Sequence, residues 1–197
     1  HSFPTRRSSD LMIWQYFSYL TGSAGGTLSQ AQNLITKLYF PRLNLLLSKV
    51  IAGLPEIIAG SVIFIVFYFV EGYHVTLNLL WLPLVFLALV VTGLAVGLWI
   101  SLFSLFVRDI SNIILQITNF LIFITPVFYP SAIIPAQFKI VLYLNPIAGL
   151  IEFTRAVLLC TDMPGPSHLI GILPVVLLFV TGLYMYKKYE KRISDMI

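Results

Sequence analysis

Charge is what this sequence has least of: acidic and basic residues together occupy 10% of its 197 positions, against 58% hydrophobic. With a mean hydropathy of +0.93, there is too little polar surface to wrap a water-soluble globule of this size. The bilayer must be the solvent. Cysteine is nearly absent too, and Cys160 alone can form neither an intrachain disulfide nor a thiolate metal cluster. His74 and His168 stand far apart with no ligand-like spacing to acids, so no metal site is expected. The net charge of +4 comes from short scattered clusters rather than a phosphate-tracking stripe, so nucleic acid is not an expected partner. The first residues lack the apolar core and small-residue cleavage site of a signal peptide.

A phosphate loop is also missing. Thr21-Gly22-Ser23-Ala24-Gly25-Gly26 is rich in glycine, but no Gly-Lys-Ser/Thr follows it, so this chain is not expected to hydrolyse ATP. Small residues within an apolar helix instead imply close helix packing.

What is present is a series of apolar runs. An all-α, polytopic membrane fold is expected, with five transmembrane helices near residues 12–30, 46–70, 79–105, 111–129 and 168–186. Between the last two, residues 130–167 are broken by Pro130, Pro135, Asn145-Pro146 and Pro164-Gly165-Pro166. The clean runs there are too short to span and suit a pair of short helices at the interface. Lys187, Lys188, Lys191 and Arg192 place the tail in the cytoplasm. Walking back one crossing at a time leaves Lys37, Arg42, Lys49 and Arg108 inside, with only Lys139 and Arg155 outside.

The same walk puts residue 11 outside, where Arg6 and Arg7 do not belong. Residues 1–11, HSFPTRRSSDL, resemble the in-frame translation of a short-read sequencing adapter. The expectation is therefore a partial transmembrane domain over residues 12–197, preceded in the natural protein by one more crossing.

The most specific stretch lies at the first cytoplasmic turn: Asn33-Leu34-Ile35-Thr36-Lys37-Leu38-Tyr39-Phe40-Pro41-Arg42-Leu43. Pro41 ends a helix near Phe40, and Lys37 and Arg42 hold the turn in the cytoplasm. By composition alone this is an ordinary aromatic and basic anchor at a membrane boundary. The run nevertheless resembles the membrane subunits of ABC-2 type exporters, most of all the branch that exports polysaccharides such as O-antigen, capsule and teichoic acid. The likeness continues through Gly97-Leu98-Trp99, Val107-Arg108-Asp109, Thr125-Pro126-Val127-Phe128-Tyr129-Pro130, Leu144-Asn145-Pro146 and Glu152-x-x-Arg155.

The resemblance implies a six-helix subunit of a bacterial inner-membrane exporter, which forms a homodimer and is driven by two separate ABC ATPase subunits. ATP and Mg would be bound on those partners, with no cofactor on this chain, and the cargo would be a lipid-linked glycan. It further implies that Asn33, Leu34, Ile35, Thr36, Lys37, Tyr39, Phe40, Pro41 and Arg42 form the turn gripped by the ATPase. Residues 131–160 would form paired outer gate helices, with Tyr129, Pro130, Pro135, Tyr143, Asn145 and Pro146 at the gate. The family's N-terminal amphipathic helix and first crossing have no counterpart here.

Glu56 falls inside the second crossing, where a charge is costly enough to mark a functional position. It either faces the transport path or bonds a neighbouring helix. Trp14, Tyr16, Phe17, Tyr19, Phe128, Tyr129 and Tyr143 read mainly as interfacial belt residues, some of which could meet sugar rings. Two other functions compete: an ABC-2 exporter of drugs or lipids, and a membrane-embedded enzyme acting on lipid phosphates. The enzyme would need acids, bases or metal ligands converging at one membrane depth, and the sequence offers no such cluster.

Overall fold

A computed structural model of the chain describes residues 3–25, 27, 43–72, 76–104, 106–107, 109–129, 133–159 and 165–196. All regular elements among them are helical. Helix α1 spans Phe3–Gly25, α2 Leu43–Ala52, α3 Leu54–Val70, α4 Leu82–Phe103 and α5 Ile110–Ile124. After them come α6 (Lys139–Leu144), α7 (Pro146–Leu159) and α8 (Ile172–Met196), with 3-10 turns at Leu77–Trp81, Ala136–Phe138 and Pro166–Gly171.

The breaks follow from proline chemistry. Pro55 has no N–H to offer the carbonyl of Ile51, so the apolar run is interrupted at Gly53 and restarts as α3. Thr125 turns extended, with ψ 137°, before Pro126, and α5 stops at Ile124 instead of running on to residue 129. Asn145 is likewise extended before Pro146, separating α6 from α7. The expected pair of short helices before the last crossing is present, though α7 is long enough to reach well into the bundle.

Three spans are long and apolar enough to cross a bilayer: Leu43–Val70, Leu77–Phe103 and Pro166–Tyr189. Helix α5 is apolar but shorter, and α1 falls outside that set because its composition is too polar, with Arg6, Arg7, Asp10 and Gln15 among its residues. It packs on α4, α3, α5, α7 and α2, and buries Ile13, Trp14, Tyr16, Phe17, Leu20 and Ala24. Protein around this helix covers Thr21 and half of Ser18, so these hydroxyls sit there at little cost, whereas Gln15 is exposed. The belt expectation is therefore overturned for Trp14, Tyr16 and Phe17, which are core residues. The Tyr16 hydroxyl donates to the Val50 carbonyl at 3.1 Å.

Two core clusters define the ends of the bundle. One joins Ala24, Leu46, Leu98, Leu102 and Tyr186, so the α8 tail with Lys187 and Lys188 shares an end with α2 and Lys49. The other joins the early part of α1 to Val127, Ile147 and Ile151, beside the short-helix pair. Five passes thus alternate between a basic end and an end closed by α6 and α7. The face of α3 bearing Ile58, Val62, Ile65, Val66 and Phe69 is open, an apolar surface that suits lipid and not water.

The glycine-rich stretch does pack closely, and its counterpart is a pair of glycines on α4. A Cβ added at Gly97 would lie 2.6 Å from the Cβ of Ala24, and one at Gly93 would lie 2.7 Å from Leu20. Glycines four apart let the two helix backbones approach where side chains would hold them away.

Candidate functional site

Glu56 stands at the midpoint of the Leu43–Val70 span, just after the break at Gly53. It lies in the first turn of α3. Its own N–H bonds the Gly53 carbonyl at 3.2 Å. Glu56 lines an open groove of about 390 Å³ between α1, α3 and α5. Helix α1 contributes Trp14, Gln15, Ser18 and Tyr19, and α5 contributes Asn119 between Leu115 and Ile122. Ser18 Oγ is buried there without a hydrogen-bond partner.

Residues with a carboxylate, two carboxamides and a hydroxyl thus line one groove together with Trp14 and Tyr19. Such groups can exchange hydrogen bonds with a polyhydroxylated molecule while the rings cover its apolar faces. They hold no nucleophile–base pair, and the described residues contain no group of three or more His, Cys, Asp or Glu able to hold a metal ion.

At the opposite end from the basic tail, the end of α5 is clamped by the short-helix pair. Tyr129 folds back to cap α5, its hydroxyl donating to the carbonyls of Ile124 at 2.9 Å and Phe123 at 3.2 Å. Asn145 acts in two directions: Nδ2 donates to Thr125 Oγ1 at 2.9 Å, while Oδ1 accepts from the backbone N–H groups of Ile147 at 3.1 Å and Ala148 at 3.4 Å. It is therefore both the N-cap of α7 and a tie to α5. Pro146 follows as the first residue of α7, a position where its missing N–H costs nothing.

Arg155, 4% exposed, completes the clamp. Its guanidinium donates to Glu152 at 2.7 Å, to both carboxylate oxygens of Asp10 at 2.7 to 3.2 Å, and to the Pro126 carbonyl. Reading basic residues one at a time made Arg155 an exception to the inside bias. In the fold its charge is matched by acids and it presents none to water.

Of the expected gate residues, Tyr129, Asn145 and Pro146 meet at the end of α5. Tyr143 instead sets its ring edge-on to His168 at 5.0 Å. Pro135 opens the Ala136–Phe138 turn, its carbonyl accepting from Phe138 N–H at 3.0 Å. Pro130 and the coupling-turn residues 33–42 lie outside the described residues. Gln15, Ser18 and Asn119 were missed by sequence reasoning. A signal was present: carboxamides inside apolar crossings are costly for the same reason as Glu56.

Residues 11–159 match the family described as ABC-2 type transporter. Among named proteins, the chain is similar to an O-antigen export system permease protein RfbA of Klebsiella pneumoniae. The two are 28% identical over 189 residues, which cover 95% of this chain and 73% of that protein. An O-antigen export system permease protein RfbA of Myxococcus xanthus is 25% identical over 194 residues, covering 96% and 75%.

Proposed function

Because the chain belongs to the ABC-2 type transporter family, we propose that it is the membrane-spanning permease subunit of an ATP-driven exporter that moves a lipid-linked polysaccharide across a bacterial inner membrane. The observation that carries the cargo assignment is the open groove between α1, α3 and α5, where Gln15, Ser18, Glu56 and Asn119 line one space with Trp14 and Tyr19. A path for a simple lipid has no use for such a density of hydrogen-bonding groups at the depth where they are most costly. The similarity to O-antigen permeases supports the same cargo class.

In this reading, two copies of the chain enclose the path and two ABC ATPase subunits bind the basic, cytoplasmic end. ATP and Mg sit on those subunits, in keeping with the missing phosphate loop. ATP can drive the cycle only by binding one conformation better than another. The turn containing Asn33, Lys37, Tyr39 and Arg42 passes that difference to the helices, and the clamp at Tyr129, Asn145 and Arg155 is the outer element that yields.

The test is a reconstituted complex with its ATPase partner. A lipid-linked glycan should stimulate ATP hydrolysis, and the same lipid without sugar should not. Tyr39→Ala and Arg42→Ala should bring stimulation down to the basal rate while membrane insertion survives. Stimulation by the bare lipid would move the chain to a lipid exporter, and unchanged coupling in both variants would remove residues 33–42 from the interface.

A further inference from the structure

The groove that borders Glu56 is more apolar than polar, and the polar groups it does carry are not balanced in charge. Its lining carries one carboxylate and, among the described residues, no lysine, arginine or histidine. Lys49, the nearest cation along the same crossing, lies about two helical turns toward the basic end. It is not part of the lining. Glu56 cannot relieve its charge on a neighbour within the groove, and no salt bridge to it is present among the described residues. The other polar groups, Gln15, Ser18 and Asn119, are neutral, and Ser18 Oγ is buried with nothing to bond.

We infer that Glu56 makes this groove a charge filter, passing glycans built of neutral or amino-bearing sugars and disfavouring those that carry phosphodiesters or uronates. The inference rests on the polysaccharide reading and narrows it. Phosphates or uronates passing the carboxylate midway along its crossing would meet a like charge at a depth where screening by bulk ions is weak. A neutral sugar would exchange hydrogen bonds with the carboxylate and carboxamides. An amino sugar would add an ion pair.

The measurement is binding of three oligosaccharides of matched length to the purified permease–ATPase complex in lipid nanodiscs: chitosan oligomers, maltooligomers and oligogalacturonate. The wild-type complex should bind the cationic oligomer best and the anionic one worst. Each step should be about tenfold, the effect of about 1.4 kcal/mol. Glu56→Gln should bring the three affinities to within about threefold of one another, and Glu56→Lys should reverse their order. Thermal stability of each variant complex shows that it remains folded.

Anionic and neutral oligomers bound equally by the wild type, or an unchanged order in a stable Glu56→Gln complex, would overturn the filter while leaving the polysaccharide reading intact. Failure of all three to bind would overturn the reading of the groove as a sugar site, and the filter with it.

Discussion

Arg155 spends its guanidinium on three partners from three parts of the chain, and this distribution decides what its loss would do. Asp10 lies among the eleven residues that resemble a translated adapter and outside the matched 11–159 region. Within that region, Arg155 still bonds Glu152 and the Pro126 carbonyl. Removing the cation leaves a half-buried carboxylate and a buried carbonyl without their donor, a change that costs about 3–5 kcal/mol when a buried pair is broken. Arg155→Ala should therefore lower the thermal midpoint of the detergent-solubilised protein. Arg155→Lys should recover little of it, because a single ammonium cannot reproduce the planar fork. Glu152→Gln should be milder, since the amide oxygen still accepts from Arg155. A thermal melt of the three variants checks the order, and equal midpoints would remove the clamp from the account of stability.

Among the elements, the decisive contact is between α1 and α4. These helices approach through Gly93 and Gly97 on one side and Leu20 and Ala24 on the other. In lipid there is little hydrophobic gain from bringing helices together, so close van der Waals packing of small residues must supply much of the association. Gly97→Leu should force the pair apart and destabilise the bundle by about 1–3 kcal/mol, as overpacking does elsewhere. Gly165→Ala should be neutral, because a Cβ there meets only Ser167 Oγ at 3.8 Å and the backbone at φ −60° accepts any L-residue. Melting temperatures of the two variants should separate clearly. Similar values would mean that the seam is not tightly packed.

Across the whole molecule, the alternating passes put the α6–α7 pair and the basic tail at opposite ends. Gln137 and Lys188 are both exposed, one at each end. In a Cys160→Ser background, single cysteines at these positions should react with a membrane-impermeant maleimide from opposite sides: Gln137→Cys in right-side-out vesicles and Lys188→Cys in inside-out vesicles. Labelling of both from one side would break the five-pass order. Lys49, Lys187 and Lys188 gather at one end, and the structure takes Arg155 out of the charge balance of the other end by pairing it.

Much of this was legible from residue order. Apolar length and the positions of proline located the three long crossings and the interrupted segment before the last helix, because spanning length and a missing N–H are local constraints. The cost of a charge in lipid singled out Glu56 for the same reason. Other features depended on which helices became neighbours. Whether Trp14 and Tyr16 stand at a lipid interface or in the core is set by the helices around α1, not by their own side chains. Asn145 could be read as a turn residue beside proline, but its bond to Thr125 needed α5 and α7 to converge. Gln15, Ser18, Glu56 and Asn119 lie on three helices, and only tertiary packing turned four isolated costly residues into one groove. Scarce charge determined that the chain lives in a bilayer; the fold decided where its few charges face, because burial and pairing depend on neighbours distant in sequence.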